Sequence, residues 1–362
     1  MVLRDISLIG FKNIAEQQLT LSEGINCLVG DNGAGKTNVL DAVHYLSMAK
    51  SMLSMTDSQS VRHGDEFFML DGRFTCDDGR AEQVSCSYSR RSGKTLKRNG
   101  KEYERLSDHV GAFPIVVVSP SDTALISDSA EERRRYLNSF ISQIDRSYLT
   151  ALIRYNAALA ERNKLLKTSP AEDMLAIYDR MLADSGEVIY RRRTDIIGQM
   201  TPLVEQYYAL LSEDREKVEI TYRSELAERP LTELLLASRQ RDFVNEYTTC
   251  GIHRDDMVLG IGGYPLRKYG SQGQQKSFLV ALKLAQYTLL SEHRGERPIL
   301  LLDDLFDKLD MRRVAQLLAL VSGERFGQIL ITDCNKVRLQ STLDRAGATY
   351  RLFNVSEGEI RQ

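Results

Sequence analysis

Eight residues, Gly30-Asp31-Asn32-Gly33-Ala34-Gly35-Lys36-Thr37, restrict the fold of this chain more than any other feature. They fit the pattern G-x-x-x-x-G-K-[ST], and their flanks supply the setting that pattern needs. Ile25 to Val29 is a mostly apolar run that reads as a strand. After Thr37 the apolar residues Val39, Val43 and Leu46 recur at helical spacing. A glycine-rich turn between strand and helix lets backbone N–H groups approach an anion, and the helix N-terminus adds positive potential. The segment Gly30 to Asn38 is therefore expected to cradle the phosphates of ATP, with the Lys36 ammonium at the β- and γ-phosphates and the Thr37 hydroxyl on Mg²⁺. Such a loop requires an α/β fold.

Two further segments fit that chemistry. Ile299-Leu300-Leu301-Leu302-Asp303-Asp304 is four apolar residues followed by two carboxylates. A strand of this kind sets its acidic end at the C-terminal edge of a sheet, where ligands of open α/β sheets bind. Alone it reads equally as a strand with a polar cap. Beside a P-loop, Asp303 would hold the Mg²⁺ shell and Asp304 would orient or deprotonate the attacking water. Ser271-Gln272-Gly273-Gln274-Gln275-Lys276-Ser277 opens a helix carrying Phe278, Leu279, Leu282 and Leu284. Serine at a helix start is usually an N-cap. Shortly before the carboxylate strand, however, it has the order and spacing of an ABC-type signature segment. There Ser271, Gly273 and Gln274 would meet the γ-phosphate of ATP held by an opposite subunit.

Between the P-loop and the carboxylate strand the composition changes. Val2 to Phe11 alternates apolar and polar residues as a strand does, and short β-like runs from Phe67 to Val118 are separated by turn signals such as Asn99-Gly100. From Ala130 to Asp214 only Gly186 and Gly198 remain, and helix formers dominate. Ser169-Pro170 is expected to break this region into two helical arms. Met174, Ile177, Met181, Val188, Ile196 and Met200 are expected to form the packing stripe of the second. The predicted architecture is an ABC-type P-loop ATPase head with a mixed sheet, interrupted by an all-helical lobe with a short antiparallel arm. Residues 1–128 and 241–362 would form the ATPase lobe, and 129–240 the helical lobe. The five cysteines show no metal-like spacing and read as scattered reduced thiols. No apolar run approaches the ~20 residues that span a bilayer, and no signal segment opens the chain, so a cytosolic protein is expected.

The motif combination is specific. Gly10-Phe11-Lys12-Asn13, Ser119-Pro120-Ser121-Asp122, Glu132-Arg133-Arg134-Arg135, Tyr155-Asn156 with Arg162-Asn163, and Gly251-Ile252-His253-Arg254-Asp255-Asp256 accompany the P-loop, the signature helix and the Asp-Asp strand. Together they resemble the RecF family of bacterial DNA-repair proteins, ABC-type and SMC-like ATPases, over most of the chain. The resemblance implies an ATP-dependent homodimer that clamps DNA, double-stranded or at gapped and single-stranded junctions, and releases it on slow, DNA-stimulated hydrolysis. It also implies RecR and RecO as partners, roles in recombinational repair, replication forks and SOS induction, and nucleotide contacts from Lys12 and Asn13. The family usually carries arginine where Lys12 stands. Thr332-Asp333 replaces the histidine with which many ABC transporters sense the γ-phosphate, and Asp304 stands where most ABC ATPases carry glutamate.

The formal net charge of −2 gives no whole-chain sign of nucleic-acid binding, so any DNA-binding surface must be local. The clusters Arg133, Arg134, Arg135 and Arg191, Arg192, Arg193 are the candidates for phosphate contacts, against the commoner reading as solvated helix faces. His253 reads as a loop histidine unless the resemblance draws it to the active face. Two rival functions remain at this level: an ATP-gated DNA-binding scaffold without turnover, and another ABC-type head serving chromosome maintenance or transport. Arms of about 40 residues argue against the long-armed chromosome proteins.

Overall fold

In the computed structural model, all 362 residues are described except 169–171, 213–215 and 305–310. The chain divides into two units. The first comprises Met1–Asp122, Leu210–Glu213 and Leu279–Gln362, the second Thr123–Ala209 and Asp214–Phe278. Residues 241–278, read from the sequence as part of the C-terminal ATPase segment, pack within the second unit.

Two six-stranded sheets build the first unit. One is antiparallel, in the order Ile14–Thr20, Val2–Phe11, Phe67–Thr75, Ala81–Ser89, Gly93–Arg98, Lys101–Glu102. Asn99 and Gly100 both take positive φ (52° and 78°) and close its last hairpin, the conformation that an Asn-Gly pair favours. The other sheet runs Glu359–Arg361, Tyr350–Ser356, Ile25–Val29, Ile329–Asp333, Ile299–Leu302, Ile115–Val118, and only its Glu359–Arg361 edge is antiparallel. Its central strands are buried on both faces and are correspondingly mostly apolar, with Asn26, Thr332 and Asp333 as buried polar exceptions. The helix Lys36–Met48 follows the P-loop strand. Val39, Val43 and Leu46 are buried as their spacing predicts, but so are Asp41 and His44, because the helix is enclosed on nearly every side. Close packing is visible at Gly72, where a Cβ would come within 2.6 Å of Leu46 Cδ1.

The second unit is mainly helical. Ala130–Ile144 and Arg146–Leu166 are separated at Asp145, whose side chain accepts hydrogen bonds from the N–H groups of Ser147 and Tyr148 and so caps the second helix. The first arm of the sequence reading is thus two helices. Glu172–Ser212 is one helix of 41 residues, and the expected break at Ser169-Pro170 lies outside the described residues. The expected packing stripe is wrong over its first half. Met174, Ile177, Met181 and Val188 are exposed, whereas Leu175, Leu182, Ile189 and Ile196 are each 0% exposed and Met200 continues the seam. Both series repeat on one helix face, about 100° apart, and periodicity cannot choose between two adjacent stripes. The strands Val218–Arg223, Asp256–Ile261 and Tyr264–Pro265 complete the unit as a small antiparallel sheet. No described helix is long and apolar enough to cross a membrane.

Candidate nucleotide site

The P-loop keeps its shape because its glycines have no side chains to accommodate. A Cβ on Gly30 would lie 2.0 Å from the Val355 carbonyl oxygen. Gly35, at φ 115°, would press one against Asn13, 2.8 Å from Oδ1. Asn13 braces the loop from behind: its Nδ2 donates to the Ala34 carbonyl (3.1 Å), and its Oδ1 accepts from Asn38 Nδ2 (2.7 Å). Gly358 N–H donates to the same Ala34 carbonyl (2.8 Å). The Lys36 ammonium donates to the carbonyls of Gly30 (2.8 Å) and Asp31 (2.9 Å), which holds the charge inside the curl of the loop.

A cavity of about 200 Å³ opens here, lined by Asn32, Gly33, Gly35, Lys36, Thr37, Asn38 and Asp304. Gly30, Asp31 and Ala34 are not among its lining residues, and Asp31 is exposed. Lys12 does not reach it. Its ammonium pairs with buried Asp41 at 2.5 Å, and Asp41 also accepts from Ser51 Oγ (2.8 Å) and Met52 N–H (2.6 Å). Lys12 and Asn13 are thus engaged with Asp41, Ala34 and Asn38 in the ligand-free site, and neither lines the cavity. Both support the loop and the helix behind it.

The sheet order brings the two carboxylates to this loop. Ile329–Asp333 lies between the P-loop strand and Ile299–Leu302, and all three run parallel, so their C-terminal ends share one edge. There the Thr37 hydroxyl donates to Asp303 Oδ1 at 2.9 Å. Burial raises the Asp303 carboxyl above its usual range, against the opposing hydrogen bonds from Thr332 and Thr37. A hydroxyl and a carboxylate side by side at a phosphate loop are the hard oxygen donors that Mg²⁺ takes from protein when phosphates and water complete its shell. The residues fit such an ion although, among the described residues, no group of three or more His, Cys, Asp or Glu gathers as a dedicated cage.

In the second unit, Ser271 and Gln274 cap the helix Gln272–Arg294 reciprocally. Ser271 Oγ accepts from Gln274 N–H (3.3 Å), and Gln274 Oε1 accepts from Ser271 N–H (2.6 Å). Gln274 Nε2 also donates to Glu216 (2.8 Å). Ser271 is exposed and Gly273 half-buried, so this helix start presents free N–H groups beside a serine hydroxyl.

The arginine clusters fare differently from the expectation. Arg193 is buried, with 1% of its side chain exposed. It donates to Tyr148 Oη, Ile252 O, Asn138 Oδ1 and Asp255 Oδ2. Arg133 makes a two-pronged pair with Asp256 (2.6 and 3.1 Å), and Arg134 donates to the Asp255 carbonyl (2.8 Å). Arg192 pairs with Asp145 at 3.0 Å. Arg193 is thereby committed to internal partners, whereas Arg133, Arg134 and Arg192 carry internal bonds but remain partly exposed. Arg135 and Arg191 are exposed, each paired with glutamates of its own helix. His253 is a satisfied structural histidine. Its ring nitrogens meet Tyr155 Oη (2.8 Å) and the Thr248 carbonyl (3.0 Å), and burial pulls its pKa down to about 4. Tyr155, Arg162, Asn163 and the Gly251–Asp256 stretch thus contribute to one buried polar framework in this unit.

A P-loop, an Asp-Asp strand end beside it and a serine-capped signature helix define an ABC-type ATPase head. The comparisons specify it further. The model of the RecF/RecN/SMC N-terminal domain matches residues 2–360. The DNA replication and repair protein RecF of Phocaeicola vulgatus is 45% identical over 365 residues, covering 100% of this chain and 98% of that protein. RecF of Porphyromonas gingivalis is 43% identical over 364 residues with both chains fully covered. The structure of the recombination mediator protein RecF with ATP, from the RecFOR pathway, superposes with a TM-score of 0.89 at 31% identity, over 99% of this chain and 97% of that one. An Smc head domain from Pyrococcus furiosus shares the fold alone, at a TM-score of 0.61 and 16% identity. The chain belongs to the RecF family.

Proposed function

We propose that this protein binds ATP with Mg²⁺, dimerises head to head on it, holds DNA in that state, and releases the DNA on slow hydrolysis during recombinational repair and replication-fork maintenance. The observation that carries the catalytic part is the placement of Asp304 on the wall of the cavity formed by Lys36, Thr37 and Asn38. A carboxylate there can accept a proton from water attacking the γ-phosphate. Thr37 and Asp303 would hold the magnesium ion, which when bound neutralises phosphate charge. The exposed Ser271 end supports the dimer: a helix N-terminus with free N–H groups is suited to a phosphate presented by a second copy. DNA as ligand, RecR and RecO as partners, recombinase loading and SOS induction rest on family membership.

Single-turnover ATP hydrolysis, with and without DNA, tests this reading. Wild-type protein should hydrolyse slowly, below the enzyme median of ~10 s⁻¹, and faster with DNA. Asp304→Asn should bind ATP and dimerise but not turn over. Undiminished hydrolysis in that variant removes Asp304 from the role. No hydrolysis by wild type would leave an ATP-gated DNA-binding scaffold.

A further inference from the structure

Thr332 is the penultimate residue of the strand Ile329–Asp333, which lies between the P-loop strand and the strand leading to Asp303. Its backbone pairs with Leu28 on one side, while the last pairing on the other side is Leu302 with Ile331. Thr332 therefore stands one step past the point where the Asp303 strand leaves the sheet. Its fully buried side chain faces the turn that carries both carboxylates.

One hydroxyl makes two bonds there. Thr332 Oγ1 donates to Asp303 Oδ1 (2.8 Å) and accepts the N–H of Asp304 (2.9 Å). Asp304 takes φ 45°, a left-handed conformation that a side-chain-bearing residue holds only when its surroundings enforce it. The Thr37 hydroxyl donates to the same Asp303 oxygen (2.9 Å), and no hydrogen bond from a described residue reaches Oδ2. The Asp303 backbone is fixed separately, its N–H donating to the Val118 carbonyl (2.8 Å).

We infer that Thr332 is a positioning residue for ATP hydrolysis, whose single hydroxyl fixes the Asp303 carboxylate and the Asp304 backbone relative to each other. It acts through both bonds, so the requirement is for a group that donates and accepts at one point. Thr37 alone cannot maintain the arrangement. Its hydroxyl is the one the magnesium ion would engage, whereas Thr332 is buried behind Asp303 and keeps its bond. The backbone contact aims Asp304 at the cavity it lines. This inference rests on the ATPase reading above.

The test compares Thr332→Val, which keeps the shape and loses both bonds, with Thr332→Ser, which keeps both. Three quantities are read for each: single-turnover rate, ATP affinity at saturating Mg²⁺, and the Mg²⁺ concentration giving half-maximal ATP binding. Thr332→Val should turn over about tenfold or more slowly, the rate equivalent of one ordinary hydrogen bond, with ATP affinity within about threefold of wild type. It should also need several-fold more Mg²⁺, and Thr332→Ser should restore both values. A valine variant equal to wild type, or a serine variant as impaired as valine, overturns the assignment. If thermal melting shows the valine variant unfolded, Thr332→Ala takes its place under the same criteria. If wild type itself does not hydrolyse ATP, the ATPase reading fails, and the Mg²⁺ titration still decides the role of Thr332: an unchanged requirement in Thr332→Val refutes it.

Discussion

Replacing Arg193 with methionine separates a DNA-contacting arginine from a structural one. The guanidinium is buried and bonds to Tyr148 Oη (3.1 Å), Ile252 O (2.9 Å), Asn138 Oδ1 (2.9 Å) and Asp255 Oδ2 (3.2 Å). Methionine fills comparable volume but leaves Asp255 with Tyr222 as its main polar partner (2.5 Å). Breaking one side of a buried pair costs about 3–5 kcal/mol, because the remaining charge is uncompensated. The loss should depend on pH. Burial already raises the Asp255 carboxyl above its usual range with Arg193 present, and removing the cation raises it further. A carboxyl with a raised folded-state pKa is stabilising while protonated and loses that contribution as pH rises through its folded value, at up to about 1.4 kcal/mol per pH unit. The deficit of Arg193→Met should therefore be largest at pH 7.5 and shrink at pH 5. Urea unfolding followed by near-UV circular dichroism is suitable, since the chain has 16 tyrosines and no tryptophan. Arg191→Met, at an exposed pair, should stay within about 0.5 kcal/mol of wild type. An Arg193→Met variant as stable as wild type would refute the structural role.

Two further outcomes are expected. Ser271→Arg should leave ATP binding intact but abolish the ATP-driven dimer in light scattering, because a long cation would project from the exposed helix start; a normal dimer would sink the shared-nucleotide arrangement. Acid should destabilise the fold between about pH 6.5 and 4 through His109, which is 0% exposed, bonds the Leu46 carbonyl (2.7 Å) and has its pKa pulled down to about 4 by burial. With the folded-state value below the unfolded one, the unfolded chain binds the proton first as pH falls, which costs about 2 kcal/mol by pH 5. His109→Gln should make the melting-temperature profile shallower over that range, with buried His253 supplying part of the remaining slope, and an unchanged profile would remove His109 from the account.

The sequence alone determined the elements whose chemistry is local. The P-loop needs glycines at fixed offsets and a lysine at a helix start, and those offsets lie within eight consecutive residues. Asp303 and Asp304 follow four apolar residues that can only be a buried strand, so their place at the sheet edge follows from the same short string. The reciprocal cap of Ser271 and Gln274 is likewise a four-residue pattern. Tertiary structure decided whatever depends on a partner distant in the chain. The internal partners of Arg133 and Arg193 appear only once the strand Asp256–Ile261 and the residues before it supply Asp256 and Asp255, 123 and 62 positions away. The pairing of Lys12 with Asp41 likewise appears only once the P-loop helix brings that carboxylate to it. On the long helix, two apolar stripes one residue apart have the same period, and only the packing neighbours select Leu175, Leu182 and Ile189. For Thr332 the sequence offers only its place where many ABC transporters carry a histidine, and nothing that links it to the two carboxylates. A threonine at a strand end is ordinary, and its importance comes from a sheet order that sets it between the P-loop strand and the two carboxylates. Local strings fix backbone conformation and the identity of reactive groups. Which charge is neutralised, and which hydroxyl holds which carboxylate, depends on strands brought together across hundreds of residues.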